Sequence, residues 1–260
     1  MLKKLIKYDL LWVNKSMIVF FIVGIIISIL TRIVSCFDNS FIGNILYIVF
    51  KSATISCIVS IIINCLIRIW NRFRLNIYKD ESYLTHTLPI KKTTLYNSKM
   101  ISSLISIFIS LLAILICFII VYLDKDMINK LKDICSNGNV KFIFISILIL
   151  MVLELVYMTN CGLMGIILGY KSNNNKILMS VIVGLGLYFL IQTVIFVIIF
   201  AIGNINPNIN NLFKDNIKPD LNFEASVKSL VIIVNMVYFV FISSMYFIGK
   251  RIFKKGVNVE

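Results

Sequence analysis

The sequence has few of the polar groups from which enzyme sites are usually built. Only one of its 260 residues is histidine, and only 12 are acidic. The single histidine, His86, excludes paired-histidine metal centres, and it lies in a polar stretch where no buried serine can meet it. No GxSxG nucleophile motif occurs either. We therefore expect no catalytic residue and no metal ligand, and catalysis by this chain is not predicted.

The sequence also lacks a nucleotide-binding motif and a cysteine framework. Its nearest approach to a phosphate loop, GIILGYKS at 165–172, lacks the GxxxxGK[ST] spacing and ends a predicted membrane helix. The six cysteines form no CxxC pair, and none lies at metal-ligand spacing from His86. We expect no cofactor on this chain. A disulfide between Cys36 and Cys135, which fall on the same predicted side of the membrane, is left open.

Apolar residues are what the chain has in abundance. They make up 59% of it and charged residues only 15%, a composition far from that of soluble domains. A stretch of about 18 or more apolar residues crosses a hydrocarbon core roughly 30 Å thick as a helix. The sequence therefore predicts an all-α integral membrane protein with a single transmembrane domain over 1–260. Its six predicted transmembrane helices cover 17–34, 45–67, 100–123, 142–168, 177–202 and 230–248.

Positive charge is distributed unevenly between the two sets of connecting segments. If the amino terminus is inside, 17 of the 26 lysines and arginines fall on the inner side and 9 on the other. The positive-inside rule then predicts that both termini are cytoplasmic. The net charge of +14 is thus a topology signal that suits an anionic lipid bilayer, and we expect no nucleic-acid partner. The abundance of isoleucine, asparagine and lysine suits an AT-rich bacterial genome, so we expect a multi-pass protein of a bacterial cell membrane.

The first sixteen residues predict an amphipathic interfacial helix. Its lysines face away from an apolar arc, and Trp12 lies at the membrane interface. Asp9 falls in the middle of that apolar arc. Two interpretations are open: the helix is frayed or tilted there, or Asp9 pairs with a basic residue of the next cytoplasmic loop, 68–99.

Two further connections are polar. Residues 124–141, with mixed charges and a turn-like SNGN, predict a short exposed helix and a turn. Residues 203–229 contain Pro207 and Pro219 among many asparagines and predict an exposed outer loop, because they are too polar to rest in lipid.

Glu154 is the only acid deep within a predicted span. An acid near the bilayer centre costs about 2.5 to 3.5 kcal/mol, so such a side chain usually faces protein or water. Two interpretations are open: it lines a substrate path or a subunit interface, or it is a protonated acid hydrogen-bonded to a polar neighbour such as an amide. The candidate amides within the spans, which are also typical of hydrogen bonds between helices, are Asn64, Gln192 and Asn235.

Three glycines lie near the end of the fourth predicted span, at Gly162, Gly165 and Gly169. Gly165 and Gly169 form a small-xxx-small pair, which allows two helices in lipid to approach closely. We favour tight packing of this span against a neighbour over a ligand-binding role.

The segment 68–99 is longer than a bare connector needs to be. Its acidic residues 80 and 81 favour the start of a short helix over 82–88, and Pro89 ends that helix before the next one leads into the third span. Tyr83, Leu84 and Leu88 are its candidate apolar contacts. A structured segment of this kind is typical of a docking site.

The residues at 80–92, DESYLTHTLPIKK, also carry a recognisable pattern. An acidic pair is followed by Tyr-Leu, Leu-Pro and a basic residue, and Lys99 leads into the third predicted span. This pattern resembles the loop of permease subunits in ATP-binding-cassette exporters of the type 2 class. Six spans with both termini inside and an amphipathic helix before the first also resemble that family.

The resemblance implies a division of labour between chains. Two permease chains, identical or different, would form the pathway, and a separate cytoplasmic ATPase would bind ATP and Mg. Segment 68–99 would be a coupling loop whose helix fits a groove of that ATPase, with Pro89 setting the angle to the third span. For His86 a solvated side chain remains an alternative. The residues assigned to ATPase contact are Asp80, Glu81, Tyr83, Leu84, His86 and Leu88.

The function implied is that of a permease subunit that exports an amphipathic or hydrophobic cargo, with antimicrobial-peptide export or immunity as examples from the family. The alternative is a membrane sensor or accessory protein whose loop docks a signalling partner without transport. An ion-coupled transporter would need a chain of intramembrane charges, for which Glu154 alone is thin support. The chain departs from the family at 203–229, which does not resemble the short re-entrant helices of many members.

Overall fold

The computed structural model describes residues 2–37, 41–79, 81–87, 89–172, 175–205 and 221–255. The regular elements within these ranges are all helices. We number them α1 to α8, and a single 3-10 turn at Ser35–Phe37 follows the first. The α-helices are Leu2–Val34 (α1), Phe41–Tyr78 (α2), Ser82–Thr87 (α3), Lys92–Tyr122 (α4), Lys125–Ser136 (α5), Gly138–Gly169 (α6), Lys176–Ile205 (α7) and Leu221–Lys255 (α8).

Six of these helices, α1, α2, α4, α6, α7 and α8, are long and apolar enough to cross a membrane. The predicted all-α fold with six membrane-spanning helices is therefore confirmed. The helices are longer than the predicted spans, and α2 has 38 residues. Because a hydrocarbon core takes about 20 helical residues, several turns of α2 extend beyond the core.

The amino-terminal helix differs from the prediction. A separate interfacial helix was expected over 1–16, but α1 continues without a break for 33 residues from Leu2 to Val34. Its first glycine is Gly24 and it contains no proline, so nothing in the backbone chemistry ends the helix before the first span.

One compact unit comprises the described residues up to Ile128. In it α1 packs against both α2 and α4. The face that α4 turns inward is lined by buried serines, most of which donate to backbone carbonyls of their own helix. Small side chains of this kind allow neighbouring helices to approach closely. The serines are Ser98, Ser102, Ser103, Ser106 and Ser110.

The second compact unit begins at Asn129. In it α6 packs against both α7 and α8. Its buried core is partly aromatic, with the rings of Tyr157 on α6 and Tyr238 on α8 meeting edge to face at 5.8 Å between centroids. The other buried members of this core are Cys161, Ile191, Ile195 and Met245.

The two polar connections are described to different extents. The predicted short exposed helix between the third and fourth spans is confirmed as α5, most of whose side chains are exposed. Of the predicted outer loop 203–229, the first residues belong to α7 and the residues from Leu221 onward belong to α8. The remainder, 206–220, with Pro207 and Pro219, lies outside the described residues.

Candidate functional site

The polar segment 68–99 is shorter as a loop than the sequence indicated. Helix α2 continues to Tyr78 and α4 begins at Lys92, so only 79–91 separates them. The short helix predicted over 82–88 is present as α3, and Pro89 follows it. The difference arises because polar residues extend α2 and α4 beyond the apolar runs that the hydropathy pattern marks as spans.

Helix α3 presents large apolar side chains outward. Tyr83 is 76% exposed and Leu84 is 68% exposed, although both lie outside the helices that can span a membrane. Ser82 and Thr85, on the opposite side of the same turn, are buried. An exposed aromatic and a leucine side by side are typical of a surface that binds another protein.

The structure describes one of three further residues that were assigned to ATPase contact. Asp80 and Leu88 lie outside the described residues. His86 lies within α3.

Asp9 of α1 forms a buried ion pair with Lys99 of α4. The Lys99 Nζ donates to the two carboxylate oxygens at 2.7 and 2.8 Å, and the side chains of Asp9 and Lys99 are each only 4% exposed. Arg72 of α2 donates from Nε to Asp9 Oδ1 at 2.9 Å. Of the two interpretations of Asp9, pairing with basic residues of segment 68–99 is therefore the one found.

Arg72 extends this pairing to the start of α3. Its Nη1 donates to the two carboxylate oxygens of Glu81 at 2.9 and 2.8 Å. Asn76 donates to Glu81 Oε2 at 2.8 Å, and the Arg72 guanidinium lies 5.4 Å from the centroid of the Trp12 ring. We call Asp9, Arg72, Asn76, Glu81 and Lys99 the charge cluster.

The charge cluster contains two carboxylates and two cations, so its formal charges balance. Buried charges are tolerated when each is paired and hydrogen-bonded, as they are here. At Glu81, partial burial alone would raise the carboxyl pKa. The hydrogen bond from Asn76 and the positive charge of Arg72 more than offset this, and the pKa of Glu81 lies below its ordinary value. Glu81 is therefore ionised at neutral pH.

The backbone at Glu81 ties α3 to the end of α2. The Glu81 N–H donates to the Leu75 carbonyl at 3.3 Å, and the Ser82 N–H donates to the Lys79 carbonyl at 2.7 Å. The Glu81 carbonyl in turn accepts bonds from the Thr85 N–H and hydroxyl, at 3.0 and 2.9 Å. The same residue thus joins the charge cluster through its side chain and α3 through its backbone.

The glycines of α6 lie against α7. A methyl group on Gly165 would lie 2.5 Å from the Ser180 carbonyl oxygen and 2.9 Å from the Gly184 Cα, and one on Gly169 would collide with Ser180. The Cα of Gly162 would be 3.9 Å from a methyl group on Gly184. The two backbones therefore approach too closely at Gly165 and Gly169 for any larger residue.

Glu154 has a different partner from those expected. Tyr188 of α7 donates to Glu154 Oε1 at 3.3 Å, and none of the three candidate amides donates to this carboxyl. Glu154 is therefore hydrogen-bonded to a polar neighbour, as one of the two interpretations had it, but that neighbour is a tyrosine and each of the three amides bonds to another group. Asn64 donates to the Ser60 carbonyl, Gln192 to the Tyr238 hydroxyl and Asn235 to the Ser146 carbonyl.

The cysteines carry free thiols, and Cys36 and Cys135 are both exposed. Within the described ranges no group of three or more histidine, cysteine or acidic side chains is placed to hold a metal ion.

Comparison of the chain with protein-family models, with curated proteins and with solved structures finds no match. The features of the chain that bear on its function are therefore the motif at 80–92, the exposed helix α3 and the charge cluster behind it.

Proposed function

We propose that this chain is the membrane-spanning permease subunit of a bacterial ATP-binding-cassette exporter. The observation that carries the proposal is α3, a short helix outside the spans that exposes Tyr83 and Leu84. The resemblance of 80–92 to the coupling loop of type 2 exporters supports it. So do the six helices capable of crossing a membrane.

The partner that fits α3 is a separate ATPase with an apolar groove. Complete burial of a leucine or aromatic side chain is worth about 1.5 to 3 kcal/mol, so two such side chains supply a substantial part of a docking energy. The partner would supply the ATP and Mg sites, since no nucleotide motif is present in this chain. A second permease chain, identical or different, would complete the pathway.

The charge cluster supplies a mechanical link from α3 to three helices. Arg72 holds Glu81 at the start of α3 and also holds Asp9 of α1. Lys99 joins Asp9 to α4. A movement of α3 when the ATPase binds ATP would therefore tilt α1, α2 and α4 together, as in other switches built from rigid elements.

The proposal also includes a class of cargo. A pathway lined by membrane-spanning helices suits an amphipathic or hydrophobic molecule, and antimicrobial-peptide export or immunity is the most specific form of the proposal. The excess of basic residues on alternate segments supports a cytoplasmic position for both termini and α3, which the proposed ATPase requires.

The test is co-expression of the chain with the ATP-binding-cassette ATPase encoded beside it, followed by purification in mild detergent. We expect the two proteins to co-elute and the turnover of ATP to differ from that of the ATPase alone. Leu84→Asp should abolish both effects, because it places a charge in an apolar contact. The matched control is Ile128→Asp on α5, which also replaces an exposed aliphatic side chain by an acid and should leave the complex intact.

Each outcome has a definite meaning once size-exclusion chromatography shows that the variants remain monodisperse. Retention of the ATPase by Leu84→Asp, with unchanged turnover, would remove the assignment of α3 as a coupling helix. Absence of a complex under every nucleotide condition would reject the exporter function and favour a sensor or accessory protein that docks a signalling partner.

A further inference from the structure

Glu154 lies at the middle of its helix. It is 16 residues from the first residue of α6 and 15 from the last, which corresponds to roughly 22 to 24 Å in each direction. Its partner Tyr188 lies in the middle part of α7, and Tyr238 is the central residue of α8. A band of polar side chains therefore crosses the second unit at the depth where the bilayer is most apolar.

These side chains contact one another in pairs. Tyr188 donates to Glu154, and Gln192 donates to the Tyr238 hydroxyl at 3.2 Å. Tyr157, whose ring meets that of Tyr238, donates to the Leu187 carbonyl at 2.6 Å. We call Glu154, Tyr157, Tyr188, Gln192 and Tyr238 the polar layer.

The polar layer contains an acid but no compensating cation. None of the ion pairs between described residues involves Glu154. Along α6 the nearest basic residue is Lys141, roughly 20 Å away. Lys228 of α8 lies over the Phe142 ring, 4.6 Å from its centroid, and so is held near the start of α6.

The carboxylate is also incompletely satisfied. Glu154 Oε1 accepts the bond from Tyr188, whereas Oε2 accepts none from any described residue, and the side chain is only partly buried. One turn away lie the exposed apolar side chains of Met151 on α6 and Leu185 on α7. The exposed Phe189 adjoins Tyr188, with 6.0 Å between their ring centroids. A carboxyl group with one unbonded oxygen thus lies beside an apolar surface at the middle of its helix.

We propose that the polar layer binds the positively charged group of an amphipathic organic cation, with Glu154 as the counter-charge. The apolar body of such a molecule would lie against Met151 and Phe189. The ring of Tyr188, which is only partly buried, would add cation–π attraction. The Coulomb attraction between the two charges is increased by the low dielectric constant of the surroundings, and it offsets part of the cost of removing both charges from water. Identification of this ligand as the exported cargo rests on the proposed function, whereas the binding itself does not.

The test measures binding of radiolabelled tetraphenylphosphonium to the purified full-length chain by equilibrium dialysis in detergent. We expect saturable binding that falls at least tenfold in Glu154→Gln, which keeps the shape and the bond with Tyr188 but removes the charge. Glu154→Asp, which keeps the charge, should retain most of the affinity. Glu224→Gln is the matched control, because Glu224 is an acid in the first turn of α8, far from the polar layer.

Tetraphenylborate, a probe of the same shape and opposite charge, provides a second control and should not compete. Equal affinity of the wild type and Glu154→Gln would overturn the proposal and leave Glu154 as a neutral partner of Tyr188. Equal competition by tetraphenylborate, or absence of saturable binding to the wild type, would overturn it as well. Because no ATPase is present in this assay, its failure is distinguishable from failure of the exporter proposal.

Discussion

Asp9 and Glu154 are two acids in apolar surroundings, and they differ in the groups that bond to them. Asp9 receives hydrogen bonds from Lys99 and Arg72, so its charge is compensated within the protein. Glu154 receives one hydrogen bond from a tyrosine and no cation from the described residues. The first arrangement is that of a structural tie between helices, whereas the second leaves Glu154 open to the cation proposed above.

A prediction at the residue scale concerns Lys99. Lys99→Met removes one partner of a buried pair and leaves the Asp9 carboxylate with Arg72 alone. We expect a loss of about 3 to 5 kcal/mol in the free energy of unfolding, seen as a lower midpoint of thermal unfolding in detergent. The double variant Asp9→Asn with Lys99→Met should be more stable than Lys99→Met, because no uncompensated charge remains.

The matched control for this prediction is Lys91→Met, since Lys91 is an exposed lysine just before α4. It should unfold at the wild-type temperature. If Lys99→Met also unfolds there, the Asp9 pairing does not hold α1 to α4.

At the element scale, the packing of α6 on α7 depends on positions where only glycine fits. The neighbours of Gly165 are backbone atoms of Ser180 and Gly184, which cannot move aside as a flexible side chain can. Helix α3, in contrast, is fixed to α2 by backbone hydrogen bonds and leaves its apolar side open. The position of α6 is thus set by the close approach of its backbone to α7, whereas the distinguishing feature of α3 is the apolar side that it exposes.

Gly165→Ala tests the close approach. The added methyl group should separate the two helices and lower stability by about 1 to 3 kcal/mol, measured as a lower unfolding temperature in detergent. Gly186→Ala on α7 is the control, because a methyl group there meets nothing within 4 Å. Alanine favours helix more than glycine does, so the control should be unchanged or slightly stabilised. Equal stability of the two variants would show that α6 and α7 are not in tight contact at Gly165.

At the scale of the whole molecule, the orientation in the membrane decides which segments can meet a cytoplasmic partner. The charge distribution predicts that segment 68–99, with α3, lies on the same side as both termini. It predicts that Cys36 and Cys135, whose thiols are free and exposed, lie on the opposite side.

Labelling of intact cells with a membrane-impermeant maleimide tests this orientation. We expect the wild type to be labelled through Cys36 and Cys135, and the double substitution Cys36→Ser with Cys135→Ser to remove the signal. In that double variant, Tyr83→Cys should be labelled only after the cells are permeabilised. Labelling of Tyr83→Cys in intact cells would place α3 outside and would exclude a cytoplasmic ATPase as its partner.

The sequence by itself determined the six spans and the short helix before Pro89. Both follow from local chemistry: a long apolar run is stable in lipid only as a helix, and proline ends the helix that precedes it. The small-residue spacing at Gly165 and Gly169 also indicated a close approach, although it did not name α7 as the neighbour. These features depend on residues that are near one another along the chain.

Only the tertiary structure decided the pairings between distant residues. Asp9 meets Arg72 and Lys99, which are 63 and 90 residues away, and Glu154 meets Tyr188 on another helix. The hydropathy pattern gives the position of each helix along the chain but not its rotation relative to its neighbours. That rotation is set by the packing of whole helix faces against one another, which no short stretch of sequence specifies.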